Sequence, residues 1–294
     1  MKKALKYTFA LLLLLLIFPA AGWGQGKIFT RKARLADFTT KTTKVVLVGN
    51  PVLDAVLRDE VKTRWRISPF EFCTVADYEA LKSDPSYYFL RLVEGSSRGE
   101  RDAGMVFLSL TKAGPTDNWQ SLDASFEVIR IPFAASSGSS GREFIYTPAF
   151  IDIIQAFVED AIMTEGAAYL GLNANTGKMM FKGGKHILFS EEDLDTSLPE
   201  KYKARRFQGY LERTSTYSAD STFLSGAEDV LIGVVMAPVE PGKGAMSYQL
   251  LISADTHELY YYSRHPYRKQ GAAGFRKADI NFVSIHKQRN ARNR

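Results

Sequence analysis

The sequence predicts an α/β fold, with α+β as the alternative, in which a long apolar helix bridges two related β-α-β-α-β-β halves. Strand-like and helical runs alternate from Lys44 to Leu110, the pattern returns 143 positions later, and an apolar helical stretch separates the two copies. The predicted organisation is a signal peptide at 1–25, a first α/β half at 26–141, the bridging helix at 142–172, and a second half with a basic C-terminal tail at 173–294.

The elements of the first half follow from local patterns. The stretch from Val52 to Trp65 carries apolar residues at every fourth position, which predicts an amphipathic helix covering a sheet. Pro51 suits the first turn of this helix, and Pro69 ends any continuation. The predicted strands are Val45–Val48, Phe70–Cys73, Tyr87–Val93, Met105–Leu110 and Ser125–Phe133, with a short helix at Ala76–Lys82 and a polar hairpin loop at Gly95–Gly104.

The bridging helix is predicted from Pro148 to about Tyr169, with Thr147 as its N-cap. Its broad apolar stripe suits a helix that lies across both halves and ties them together. A flexible linker at Ser136–Gly141 precedes it, and a glycine-rich loop at Asn173–Lys185 follows. The second half is predicted to contain a helix at Leu198–Phe207, strands at Val230–Met236, Met246–Ile252 and Glu258–Tyr262, and a short counterpart of the long helix at Phe275–Ile285.

The shift of 143 residues predicts an internal duplication. The same offset aligns Val45 with Leu188, Ala76-Asp77 with Ala219-Asp220, Tyr88 with Leu231, and Phe107-Leu108 with Leu250-Leu251.

The N-terminus has the layout of a secretory signal peptide. Three lysines precede the apolar run Tyr7–Ile17, and small residues follow at Pro19–Gly22. A spanning helix needs roughly 20 apolar residues, so this run is short for a membrane anchor, which is the alternative. The ending Gly22–Gln25 resembles the signal-peptide ends of Bacteroidetes envelope proteins. We therefore expect cleavage between Ala21 and Gly26 and export to the periplasm or the outer membrane.

The positive charge is concentrated in the C-terminal tail. From Arg264 to Arg294 the chain has nine Lys or Arg residues and one acid, Asp279, whereas the whole chain carries a net charge of +6. Such a tail predicts peripheral, salt-sensitive association with anionic surfaces, and a solvated C-terminus is the alternative. The remaining body is not basic, so the sequence does not predict nucleic-acid binding.

Cys73 is the single cysteine, which excludes an internal disulfide. A single cysteine beside apolar residues is expected to pack in the core as a small apolar side chain.

No motif predicts catalysis, a cofactor or a metal site. Gly95–Gly99 matches G-x-S-x-G but leads into another strand rather than a helix, which indicates a hairpin loop. Gly171–Lys178 has one residue too many for a phosphate loop, and Met179 replaces the required Ser or Thr, so a turn is expected. The acidic run Glu191–Asp193 is interpreted as solvated. Asp255, His257 and Glu258 crowd one turn as weak cation ligands at most, with an ordinary polar turn as the favoured interpretation.

The strongest candidate for an interaction surface is the last predicted strand. Alternate residues of a strand face opposite ways, so Tyr260 and Tyr262 are expected to share one face. With Arg264 and Tyr267 they form an aromatic and arginine-rich set of the kind enriched at protein interfaces. Ordinary sheet packing is the alternative.

The order of elements resembles the α/β domains of bacterial envelope proteins. The opening Lys44–Val48 and the closing hairpin at Tyr248–Tyr262 are similar to the TolB N-terminal domain and to curli-assembly and penicillin-binding-protein-activator lipoproteins, although the lipid-anchoring cysteine is missing. The resemblance implies an adaptor rather than an enzyme. The sequence therefore predicts an exported, non-enzymatic binding or assembly protein of the cell envelope with envelope proteins as partners. The alternatives are a periplasmic hydrolase or a small-ligand-binding protein with its site between the halves.

Overall fold

The computed structural model describes residues 30–95, 102–117, 121–138, 140–181 and 183–292. The predicted signal peptide, residues 96–99 of the G-x-S-x-G motif and the last two residues of the basic tail lie outside these ranges. The described residues form two five-stranded mixed sheets and eight helices, with 38% of residues helical and 29% in strands. The predicted α/β class is therefore confirmed.

The first sheet has the strand order β2-β1-β3-β4-β5. β1 is parallel to both β2 and β3, and the remaining pairs are antiparallel. Its strands are β1 (Thr42–Leu47), β2 (Phe70–Thr74), β3 (Tyr87–Glu94), β4 (Met105–Lys112) and β5 (Phe126–Ala135).

The second sheet repeats this arrangement in the order β10-β9-β8-β6-β7, with β6 parallel to β7 and β8. The four-residue strand β7 was not predicted from the sequence. The strands are β6 (His186–Ser190), β7 (Leu211–Thr214), β8 (Val230–Met236), β9 (Met246–Ser253) and β10 (Leu259–Pro266).

The helices are α1 (Arg31–Leu35), α2 (Pro51–Arg64), α3 (Val75–Leu81), α4 (Arg142–Met163), α5 (Glu165–Leu170), α6 (Glu200–Arg206), α7 (Thr216–Leu224) and α8 (Lys277–Arg292). A 3-10 segment, Gly171–Phe181, replaces the predicted glycine-rich turn and loop and packs along β10. No described helix combines the length and apolar composition needed to cross a bilayer.

The predicted constant offset of 143 is wrong for the first and fourth strands of each half. Val45 pairs with Leu90, and Phe189 pairs with Gly233, so Val45 corresponds to Phe189 rather than to the predicted Leu188, an offset of 144. In the first sheet Leu90 pairs with Leu110, and its counterpart Gly233, 143 positions later, pairs with Leu251. Leu110 therefore corresponds to Leu251, an offset of 141, because the β8–β9 hairpin is two residues shorter than the β3–β4 hairpin.

The two sheets stack head to tail around one shared core, called here the junction core. Leu57 of α2 lies in this core, whereas Tyr202 of the corresponding helix α6 lies in a separate core on the far side of the second sheet. Conversely, Phe223 of α7 enters the junction core, while Tyr78 of its counterpart α3 packs on the outer face of the first sheet. Equivalent faces of the two halves therefore do not meet.

Corresponding residues on equivalent faces of the two sheets differ in polarity, because one face is buried in the stack and the other is not. In the second sheet the cross-strand pair Val234–Leu250 faces the junction core and is fully buried. The corresponding pair on the outer face of the first sheet is Arg91–Ser109. The outer face is thus more polar than its buried counterpart, as expected for the terminal unit of a stack.

Helix α4 bridges the halves as predicted, but both of its ends differ from the prediction. It ends at Met163 rather than near Tyr169, because the backbone of Thr164 is extended and the separate helix α5 follows. It begins six residues before Pro148, after a left-handed Gly141 with φ of 80°. Thr147 is not the N-cap: it is buried within the helix and donates its hydroxyl to Glu143 O at 2.7 Å. The apolar stripe of α4 packs in the junction core against both sheets, which accounts for its length.

Candidate functional site

A polar cleft of about 320 Å³ opens where β5 of the first sheet approaches β10 of the second. We call it the arginine cleft, because Arg31, Arg130 and Arg264 line it. Its other lining residues are Phe126, Glu127, Val128, Ile129, Leu170, Gly171, Leu172, Asn173 and Tyr262. The cleft therefore draws on both halves and on the connection after α5.

Arg130 is held rigidly at the base of the cleft. Its Nη2 donates to Asp102 Oδ2 at 2.7 Å, and its guanidinium lies 4.5 Å from the ring centroid of Phe107. The other carboxylate oxygen of Asp102 accepts the hydroxyl of Tyr248, which belongs to the second sheet. Asp102 is 3% exposed and adopts a left-handed backbone with φ of 65°, so the loop before β4 is bent to bring this carboxylate inward.

Tyr262 and Arg264 come from alternate positions of β10 and line the cleft together. Burial raises the pKa of Tyr262 to about 12, so its hydroxyl stays a neutral hydrogen-bond donor at physiological pH. Within the described part of the chain, the guanidinium group of Arg264 forms no hydrogen bond or ion pair. A guanidinium without a carboxylate partner thus stands beside a phenolic donor.

Arg31 closes one side of the cleft. Thr30 caps α1, and the backbone N–H of Arg31 donates to Glu165 Oε1 at 3.1 Å. The Arg31 side chain lies over the ring of Tyr169, 5.6 Å from its centroid, and Nη1 donates to Ala168 O at 3.4 Å. Helix α1 is therefore fastened to α5, and its first residue is positioned by that contact.

The cleft is positively charged and lacks nucleophilic groups. Its described lining carries three guanidinium groups and one carboxylate, Glu127, and it contains no serine, cysteine or histidine. Guanidinium groups bind carboxylate, phosphate and sulfate oxygens through paired N–H donors. The arrangement can hold an oxyanion.

The predicted pairing of Tyr260 with Tyr262 on one face is wrong. A β-bulge lies between Leu259 and Tyr261, and the extra residue reverses the alternation, so Tyr260 and Tyr261 both pack in the outer core of the second sheet. Tyr267 is buried and donates its hydroxyl to Gln270 Oε1 at 3.1 Å. Of the four predicted interaction residues, Tyr262 and Arg264 remain accessible to a ligand.

A network of charged residues joins α4 to the second half, at the 3-10 turn Glu191–Asp193 and at α7, and was missed by the sequence interpretation. Arg142 donates to both oxygens of Asp193 at 2.9 and 3.0 Å and to Asp220 Oδ1 at 3.1 Å. Tyr146 donates its hydroxyl to Asp220 at 2.7 Å. We call these four residues the junction network. Asp193 is 5% exposed, so the prediction that the run Glu191–Asp193 is solvated is wrong at this residue.

The turn after β9 makes a polar contact with α4. His257 Nδ1 lies 2.7 Å from Asp152 Oδ2 of α4, and its ring stacks on Phe223 at 5.2 Å. Within the described residues, no group of three or more His, Cys, Asp or Glu side chains is placed to hold a metal ion.

Cys73 is buried as predicted, and burial raises the pKa of its thiol.

Comparison with known proteins finds no matching family model, no similar curated protein and no similar solved structure.

Proposed function

We propose that the protein is an exported, non-enzymatic binding protein of the bacterial cell envelope, and that its ligand carries an oxyanion held in the arginine cleft. The observation that carries this proposal is the pair on β10. Arg264 has no ion-pair partner within the described residues, and the neutral hydroxyl of Tyr262 lies beside it. Charge-assisted hydrogen bonds to an oxyanion would satisfy both groups.

The ligand-binding role is favoured over a role in assembly through sheet edges. The outer strand of the first sheet, β5, has two register irregularities against β4 and contains Pro132. Bulges and proline are the features that prevent an edge strand from pairing with another chain. Burial of Tyr260 and Tyr267 also removes two of the three tyrosines predicted to contact a protein partner.

The binding role is also favoured over hydrolysis. The cleft has one carboxylate in its described lining, Glu127, and Asp102 beneath it is already paired with Arg130. A glycoside hydrolase needs two carboxyl groups flanking the bond to be cleaved, and an acyl hydrolase needs a nucleophile with an adjacent base. The groups present suit recognition of charge.

The test is calorimetric titration of the protein, expressed from the full sequence, with inorganic phosphate and phenyl phosphate. Replacing Arg264 by Gln removes a charge-assisted donor that contributes about 1.5 to 3 kcal/mol, so affinity should fall about 10- to 100-fold. The matched control is Arg268→Gln, which changes an exposed arginine outside the cleft and should leave affinity unchanged. Equal loss in the two variants, or no binding of either anion by the unaltered protein, would refute the proposal.

A further inference from the structure

Three large apolar side chains are exposed next to the mouth of the arginine cleft. Met163 ends α4 and is 73% exposed, and Tyr169 and Leu170 end α5 at 61% and 58%. We call this set the apolar rim. Leu170 lines the cleft itself, so rim and cleft form one continuous surface.

Contacts from α1 hold the rim together. Lys32 Nζ donates to Met163 O at 2.8 Å, and Arg31 lies over the ring of Tyr169. Met163 and Tyr169 are therefore each in contact with a cationic residue of α1. The carboxylate of Glu165 accepts the backbone N–H groups of Arg31 and Lys32 and leaves both side-chain charges uncompensated by it.

The chain also enters the fold at this surface. The first described residue, Thr30, is the N-cap of α1 and directly precedes the two cationic residues. The 29 residues before it include the apolar run Tyr7–Ile17 and its basic start. Thr30, the first described residue, therefore lies beside the rim.

We infer that the apolar rim docks on the surface of an anionic phospholipid bilayer and that the arginine cleft then holds a lipid phosphate. This inference rests on the proposed function of the cleft. Exposed apolar and aromatic side chains enter the boundary between headgroups and acyl chains, where a tyrosine ring with its polar tip is well accommodated. Lysine and arginine beside them attract anionic headgroups. The cleft, opening onto the same surface, places Arg264 and Tyr262 at the depth of the phosphates.

The test compares two triple variants on vesicles of phosphatidylcholine with and without phosphatidylglycerol. The rim variant is Met163→Ser, Tyr169→Ser and Leu170→Ser. The control variant replaces three equally exposed apolar residues elsewhere, Val52, Tyr217 and Leu224, by Ser. All proteins keep the same N-terminal segment, so its own affinity for lipid is a common background.

We expect the rim variant to bind phosphatidylglycerol vesicles at least about tenfold more weakly, while the control variant binds like the unaltered protein. Soluble glycerol 1-phosphate distinguishes a lipid headgroup from a free phosphate. The single variant Met163→Ser, which changes no residue that lines the cleft, should weaken binding to phosphatidylglycerol vesicles and retain the affinity for glycerol 1-phosphate. If Arg264→Gln leaves that soluble affinity unchanged but rim-dependent vesicle binding persists, the cleft proposal fails and membrane docking stands. Equal vesicle binding by both triple variants would overturn the inference. So would a dimer in sedimentation that the rim variant abolishes without any effect of lipid, because the rim would then cover a second copy.

Discussion

Replacing Arg142 by Leu should destabilise the protein severely, because it leaves the two carboxylates of the junction network without a cation. The side chains of Arg142, Asp193 and Asp220 are 14%, 6% and 10% exposed, so water cannot replace the lost partner. Removing one member of a buried ion pair typically costs about 3 to 5 kcal/mol, mostly from the charge left behind. We expect a loss in that range at neutral pH, measured by urea unfolding followed by circular dichroism.

A second variant separates the charge from the lost packing. Adding Asp193→Asn and Asp220→Asn to Arg142→Leu removes the uncompensated charges and should recover a large part of the stability. The control Arg268→Leu changes an exposed arginine and should stay within about 0.5 kcal/mol of the unaltered protein. If Arg142→Leu costs no more than Arg268→Leu, the junction network does not fasten α4 to the second half and the reasoning is wrong.

Two further substitutions test packing and pH dependence. A Cβ on Gly233 would lie 2.7 Å from Phe189 Cδ1, so Gly233→Ala should lower the free energy of unfolding in urea by about 1 to 3 kcal/mol. The control is Gly242→Ala, whose Cβ would meet nothing within 4 Å and should leave the free energy of unfolding nearly unchanged. Burial raises the pKa of Asp37, but hydrogen bonds, first that from Lys112, outweigh burial and hold the pKa below its ordinary value. The carboxylate therefore stabilises the fold above its unfolded pKa of about 3.9 and loses that contribution as pH falls through the folded pKa. Asp37→Asn should accordingly cost about 1 to 3 kcal/mol at pH 7 and little in strong acid, and a penalty independent of pH would contradict this.

Local patterns were sufficient for most elements. Strand Val230–Met236 was predicted residue for residue because a continuous apolar run between turn signals admits few alternatives. Strand Leu211–Thr214 was missed because its four residues are largely polar, and only pairing with β6 makes it a strand. The start of α4 was misplaced because Pro148 suggested a first turn, whereas burial in the junction core extends the helix six residues further.

The candidate site depended on contacts that sequence spacing does not reveal. Arg31, Arg130 and Arg264 are far apart in the chain and meet only because β5 and β10 approach each other across the two sheets. Tyr262 was predicted as an interaction residue and lines the cleft, but the bulge that turns Tyr260 inward leaves no local signal in the sequence. In the sequence, Asp193 resembles its acidic neighbours. Its burial is possible because Arg142, which is distant in the chain, supplies a compensating charge.

The head-to-tail stacking of the two sheets is a type of contact that could continue into a filament, and the polar outer face of the first sheet opposes this. A contact between two unlike surfaces has no symmetry that closes it, so a third unit could in principle add to the second and a fourth to the third, giving a filament. The pair Arg91–Ser109 interrupts that series, since a charged guanidinium stands where the buried copy has Val234 against Leu250. Exchanging those two polar residues for their apolar counterparts would make the free face of the first sheet more like the buried face of the second, and we expect it to favour head-to-tail association.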